Sequence, residues 1–258
     1  MVFSAIHDYF ERTGDPRAKH YFLMDSIWKP VAITAAYLLI VQVFGPRLMK
    51  DRKPFDVKKY VMAYNIVQVA VNLYLTVIVL DAFSKRNITS CIDIDYTNSE
   101  TGYRELKCSY IYFLIKILDG MDTIFFILKK SFRQMSFLHI YHHAIMMMIT
   151  WLVTKYCGGG QSGWACIFNS IIHTLMYSYY FLTAYDSKYK DSPMKKFITQ
   201  LQLVQFFLLL YFYSYSLFSS CNYSKLMSLL VISQALIFIN LFSKFYYNSY
   251  IRTKKDNK

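Results

Sequence analysis

Glycine and proline are scarce in this chain, eight and five among 258 residues, and only 17% of its side chains are charged. A soluble domain carries nearer a quarter. So little Gly and Pro excludes a collagen-like chain, and so little charge excludes a disordered one. Five cysteines are too few for a disulfide-stapled miniprotein of this length. Carboxylates are the scarcer sign: 16 Asp and Glu against 29 Lys and Arg leave a formal charge of +13. What is abundant is apolar and aromatic, 55% hydrophobic residues with 24 Tyr and 21 Phe, and a mean hydropathy of +0.24.

The apolar residues stand in blocks of roughly twenty, the length that crosses a ~30 Å hydrocarbon layer. Seven blocks are legible, at about 28–48, 60–83, 109–128, 136–154, 165–185, 197–219 and 226–248. None alternates as a barrel strand would, and a backbone without water must satisfy itself within helices. The expectation is an all-α integral membrane protein of seven transmembrane helices. It forms one transmembrane domain over 1–258, with a polar N-terminal segment 1–27 and a basic tail 249–258. Neither an internal repeat nor a linker long enough to separate two domains is visible. The segment before the first block is polar and lacks a small-residue cleavage site, so it is not read as a cleaved signal peptide.

The positive charge is uneven. Most Lys and Arg outside the blocks fall near 47–59, 129–133, 188–196 and 252–258; fewer flank the opposite ends. The positive-inside rule puts the richer set, with the C-terminus, in the cytosol and the N-terminus outside or in a lumen. Asn87-Ile88-Thr89 is then a glycosylation sequon in a lumenal loop, with Asn87 the acceptor. Cys91, Cys108 and Cys221 fall in or beside lumenal segments, where a disulfide persists. One tying Cys221 to the 84–108 loop fits, with Cys91 as a candidate, but the sequence leaves the partner open. The basic loops read either as topology and attraction to anionic lipid, or as a collar for a polyanionic ligand such as coenzyme A. Charge spread over four membrane-bordering loops does not suit nucleic acid.

Ionisable groups inside a membrane are costly and are functional candidates by default. The third block carries Lys116, Asp119, Asp122 and Thr123; Lys116 and Asp119 are three apart and share a helix face. They read as a structural ion pair or as support for a catalytic site. In the fourth block His139, His142 and His143 crowd one sector of a helix. The fifth adds His173, and its short connection to the fourth makes the two antiparallel neighbours, so that His173 and His142 are expected to face each other across a cavity. Thr199, Gln202 and Gln205 stripe the sixth block, and Asn65, Gln68 and Asn72 the second. Each stripe taken alone reads first as interhelical hydrogen bonding. Together they suggest a ring of helices around a polar-mouthed, otherwise apolar chamber.

Clustered histidine invites a metal, and a histidine-rich membrane oxidase or desaturase is one alternative reading. Only six His are present, two of them in the N-terminal segment, so the histidine boxes of a desaturase are not met. A seven-span receptor or channel is a second alternative, less favoured because the ionisable groups converge on one depth. No Cys ligand spacing, Gly-rich nucleotide loop or Ser nucleophile elbow occurs. Histidine as base or nucleophile remains; an imidazole can attack a thioester and form an acyl-imidazole.

Lys116-Ile-Leu-Asp119-Gly120-Met-Asp122-Thr123 followed by His139-Ile-Tyr-His142-His143 resembles the very-long-chain fatty acid elongase family. His173 through Tyr180 matches an HxxMYxYY pattern and Thr199 through Gln205 a TxxQxxQ pattern. Asp15-Pro16-Arg17, Gly45-Pro46-Arg47 and Arg52-Lys53-Pro54-Phe55 are similar too. The likeness runs over about 15–250. It departs at Asp119, where the family usually has Glu, and at Gly120, where Leu is usual.

The resemblance implies a 3-ketoacyl-CoA synthase of the endoplasmic reticulum membrane, multi-pass, that condenses a long-chain acyl-CoA with malonyl-CoA and needs neither metal nor cofactor. About six of the helices would ring an acyl-chain tunnel. It implies that His142 takes the acyl group, that His173 positions the malonyl thioester, and that His139, His143, Asp119, Asp122 and Lys116 set tautomers and polarise the site. Asn169, Tyr177, Gln202 and Gln205 would bind substrate, and Arg52, Lys53, Lys130 and Lys188 the CoA phosphates. Membrane lipid, a second copy of the chain and the other enzymes of the elongation cycle are the partners implied. Lys254 and Lys255 resemble a displaced dilysine retrieval signal.

Overall fold

A computed structural model describes residues 2–84, 86–88 and 90–252. Thr89 of the sequon and the 254–258 tail lie outside the described residues. All regular structure among the described residues is helical: α1 (Val2–Thr13), α2 (Trp28–Leu39), α3 (Gly45–Met49), α4 (Lys58–Ser84), α5 (Glu100–Asp119), α6 (Met121–Leu128), α7 (Phe137–Cys157), α8 (Gly163–Tyr185), α9 (Met194–Phe218) and α10 (Lys225–Tyr246). Five helical stretches are long and apolar enough to cross a membrane, at Trp28–Met49, Lys58–Ser84, Phe137–Cys157, Met194–Phe218 and Lys225–Arg252. The protein is thus a multi-pass membrane protein. The third and fifth apolar blocks are helical too, as α5–α6 and α8. Both carry polar side chains, Lys116, Asp119 and Asp122 in the one and Asn169 and His173 in the other, which lowers their hydropathy.

Prolines sit where helices tolerate them. Pro30 lies in the first turn of α2, where its missing N–H has no intrahelical partner to lose. Pro46 opens α3 directly after a widened π-helical turn at Ile40–Phe44, where the α-helical hydrogen-bond ladder is already interrupted. Gly45 allows that turn to pack closely, because a Cβ there would meet Ile127 Cδ1 at 2.8 Å.

The chain forms two compact units, one of residues up to 57 together with 94–162, the other of 58–93 with 163 onward. In the first, α7 packs against both α5 and α2. Its N-terminal segment is more than a polar flank. Lys155, in the last turn of α7, donates from Nζ to Glu11 Oε1 at 2.8 Å and to Met24 O at 3.0 Å, and is 1% exposed. The Trp151 indole donates to Leu23 O at 2.9 Å. Arg17 donates to Asp15 through Nη2 at 2.7 Å and also to Thr97 O, and its guanidinium lies over Tyr96 and Tyr103. The Asp15 carboxylate raises the Arg17 guanidinium above its ordinary value. These pairs fold the segment down onto an apolar cluster of Ala18, Met24, Ile27, Leu106, Phe113 and Trp151.

In the second unit α4 and α8 run antiparallel. Lys58 Nζ donates to Tyr185 O, Tyr64 and Tyr177 meet midway, and Phe83 packs edge-on to Trp164 at 5.0 Å. Helices α9 and α10 form a hairpin, joined near its turn by Ser216 Oγ and Ser228 Oγ at 2.6 Å. Cys91 and Cys221 are bonded as a disulfide, and Asn222 N donates to Asp93 Oδ1 at 2.7 Å beside it. Cys108, the other lumenal cysteine considered, is free and buried. Asn87 is exposed.

Candidate active site

The start of α7 is set by Ser136, whose Oγ accepts from His139 N at 3.3 Å and so satisfies one of the orphan amides of the first turn. From that cap the helix brings His139, His142 and His143 within its first two turns. His139 and His143, four apart, pack edge to face with ring centroids 4.4 Å apart; His142 meets His143 at 5.4 Å. His143 is buried.

Helices α5 and α6 supply the charged partners. Lys116 Nζ donates to Asp119 Oδ2 at 2.8 Å and stands 4.9 Å from the Tyr112 ring. The shorter Asp side chain therefore reaches the lysine. Asp122 and Thr123 are buried one turn further on. Thr123 Oγ1 lies 2.9 Å from His139 Nε2, which links the acid-bearing helices to the histidine cluster. On its other side the same hydroxyl is 2.9 Å from Tyr37 Oη, a residue of α2. Gly120 lets α2 and α7 come close at this level: a Cβ there would stand 2.9 Å from Met147 Cε and 3.5 Å from Tyr37 Cδ2. Among the described residues no group of three or more His, Cys, Asp or Glu is arranged to hold a metal ion.

His173 and the remaining polar candidates belong to the second unit. His173 is 5% exposed on α8 and packs edge-on to Tyr177 at 5.6 Å. Tyr177 Oη is 3.3 Å from Tyr64 Oη, which accepts from Gln68 Nε2 at 2.8 Å; Asn72 Nδ2 in turn donates to Gln68 Oε1 at 3.2 Å. Gln68 and Asn72 of the α4 stripe, with Tyr64, thus form one hydrogen-bonded ladder ending at the tyrosine beside His173. Asn169 and Gln205 are buried, and Gln202 Nε2 points at Met176 Sδ from 3.9 Å. Thr199 Oγ1 donates to Lys195 O, one turn back on α9.

The basic candidates fall in two places. Lys130 Nζ donates to both Lys50 O and Arg52 O at 2.9 Å, so Lys130, Arg52 and Lys53 share one corner of the first unit, with Arg52 and Lys53 exposed. Lys188, exposed in the second unit, pairs with Asp186 at 3.0 Å. That contact, with the Lys188 backbone N–H, holds the Asp186 carboxyl below its usual range.

The residues 22–258 match the model of the ELO family, described as GNS1/SUR4. The chain belongs to this family. It is 37% identical over 244 residues to human very long chain fatty acid elongase 4, covering 94% of this chain and 77% of that protein. It is 34% identical to Drosophila melanogaster very long chain fatty acid elongase 7, over 100% of this chain and 79% of the relative. Human very long chain fatty acid elongase 1 is similar at 34%, covering 94% and 88% respectively. For this ELO protein, two functional candidates escaped the sequence. Tyr37 and Tyr64 lie in no motif, and each is identified only by what it touches across another helix. Asn65, Gln68 and Asn72 form a stripe legible in the sequence, but the connection of Gln68 and Asn72 to Tyr177 is not.

Proposed function

We propose that this ELO protein condenses a long-chain acyl-CoA with malonyl-CoA to give a 3-ketoacyl-CoA two carbons longer, carbon dioxide and free CoA. The observation that supports it is the three-histidine cluster on α7, tied through Thr123 to helices carrying Lys116, Asp119 and Asp122, in a chain of this family.

In this reading an imidazole nitrogen of His142 attacks the acyl thioester carbonyl. The C–S bond breaks, CoA leaves as the thiolate and receives the proton that the imidazole gives up, and an acyl-imidazole remains. Malonyl-CoA then loses carbon dioxide, and the electrons of that C–C bond form the enolate of a two-carbon thioester. The enolate carbon attacks the acyl carbonyl, the acyl C–N bond breaks, and the departing His142 nitrogen takes up a proton from water to return to neutral imidazole. In this reading His173 orients the malonyl thioester, while amide donors from Asn169 and Gln202 hold the enolate oxygen. His139, His143, Lys116, Asp119 and Asp122 fix tautomers and polarise the site, and Tyr177 and Gln205 line it.

The acyl tail occupies an apolar tunnel ringed by about six helices of a single transmembrane domain. Arg52, Lys53, Lys130 and Lys188 hold the CoA phosphates at the cytosolic side. The reading takes malonyl-CoA as co-substrate and no resident cofactor. It places the protein in the endoplasmic reticulum membrane with the N-terminus lumenal and the C-terminus cytosolic, as a homodimer among the other enzymes of the cycle.

The experiment is intact-mass measurement of the purified protein mixed with a long-chain acyl-CoA and no malonyl-CoA. The wild type should gain the mass of one acyl group, and His142→Ala should not. An acyl adduct that persists in His142→Ala would move the nucleophile elsewhere.

A further inference from the structure

The described contacts of Thr123 form a three-member chain, Tyr37 Oη to Thr123 Oγ1 to His139 Nε2, with both links 2.9 Å. It joins α2, α6 and α7, and the two hydroxyl residues are buried, Thr123 at 0% and Tyr37 at 7% exposure. A phenol is a far stronger acid than an aliphatic alcohol, with an ordinary value near 10. Tyr37 is therefore the preferred donor to Thr123, and the single Thr123 proton is left to point at His139. That makes Nε2 of His139 an acceptor and keeps its proton on Nδ1. The ring so fixed is the one that packs at 4.4 Å on His143, whose own ring meets His142. The Tyr37 ring also packs beside Gly120, where an added Cβ would reach ordinary van der Waals contact with its Cδ2 at 3.5 Å.

We propose that Tyr37 is a positioning residue of the condensing site: through Thr123 it fixes the tautomer of His139 and so orders the histidine cluster. The assignment of a catalytic consequence rests on the elongase reading; the assignment of the tautomer does not. Tyr37 touches no reacting atom in this account. Its hydroxyl, acting through Thr123, holds the His139 ring in a single tautomer.

Tyr37→Phe removes one oxygen and keeps the ring beside Gly120, and Thr123→Val keeps the shape of Thr123. Protein labelled with [15N]histidine is compared in detergent micelles, with the His139 signals assigned by their loss in His139→Gln. In the wild type His139 should show one protonated and one bare ring nitrogen; in Tyr37→Phe the two shifts should move toward each other. With acyl-CoA and malonyl-CoA, kcat of Tyr37→Phe should fall about three- to tenfold, the worth of one neutral hydrogen bond, with both KM values unchanged and the unfolding temperature lowered by only a few degrees. Thr123→Val should lose at least as much, and the double variant no more than Thr123→Val alone, as expected of members of one unit. Unchanged His139 shifts in Tyr37→Phe, or losses that multiply in the double variant, would overturn the proposal. A wild type that extends no acyl-CoA would overturn the elongase reading instead, and the nitrogen shifts would still decide the relay.

Discussion

Lys116 Nζ and Asp119 Oδ2 stand 2.8 Å apart on one face of α5, and both side chains are 1% exposed. A pair this deeply buried contributes little net stability against an apolar pair of the same size, but removing one partner strands a charge. Lys116→Met and Asp119→Asn should each lose about 3–5 kcal/mol of unfolding free energy in micelles. Lys116→Met combined with Asp119→Asn should lose less than the two separate losses added together. Asp119→Glu keeps the charge and should remain close to the wild type. Denaturant unfolding of the four variants checks this; strictly additive losses would show that the two side chains do not act as a pair.

Gly120 lies beside Met147 of α7 and Tyr37 of α2. The Cβ of Gly120→Ala would stand 2.9 Å from the flexible end of Met147 and 3.1 Å from Ile117 O, and the substitution gains helix propensity worth up to about 1 kcal/mol. Its stability should stay near that of the wild type. Gly120→Leu must displace the Tyr37 ring as well, and overpacking of this kind costs about 1–3 kcal/mol. Measured by unfolding and by turnover together, Leu should lose both stability and kcat while Ala keeps both. Equal behaviour of the two variants would mean that the close approach is not needed.

What could be read from the chain alone, and what could not, divides by the range of the contact. Lys116 with Asp119, and His139 with His142 and His143, lie within a turn or so of one another, so helix geometry alone brings them together. The apolar blocks were legible for the same local reason. Tyr37 and Thr123 are 86 positions apart, and Tyr64 and Tyr177 are 113 apart. Only packing of separate helices makes those pairs, and no spacing rule encodes it. The N-terminal segment was read from its polarity as a flank, yet Glu11 and Lys155, 144 positions apart, form a buried ion pair. Polarity identifies groups that need partners; it does not say whether water or protein provides them. The choice of Cys91 over Cys108 for Cys221 is another long-range outcome of the fold.

Gly163 opens α8 against α4, and a Cβ there would stand 2.5 Å from both Cε1 and Cζ of Phe83. A phenyl ring packed edge-on to Trp164 cannot swing aside as a methionine tip can. Gly163→Ala should therefore cost about 1–3 kcal/mol, in contrast to Gly120→Ala. Thermal unfolding of the two alanine variants side by side tests the contrast, and equal midpoints would refute it.

The Cys91–Cys221 disulfide spans 130 positions and joins the segment after α4 to the α9–α10 turn. Cross-links over long loops stabilise by about 2–4 kcal/mol. Cys91→Ser and Cys221→Ser should each lower the unfolding midpoint, and the double variant should be no worse than either alone. A reductant should lower the wild-type midpoint and leave those of the variants in place. A wild-type midpoint indifferent to reductant would contradict the bond's contribution.

The most direct test of the whole account is product formation. The purified protein is incubated with a panel of long-chain acyl-CoAs and malonyl-CoA labelled with 13C at C2, and the thioesters are analysed by mass spectrometry. The account predicts a 3-ketoacyl-CoA two carbons longer than the acyl-CoA supplied, with the label in the new two-carbon unit and free CoA released in equal amount. No labelled, lengthened product from any member of the panel, in a preparation that remains folded, would contradict it.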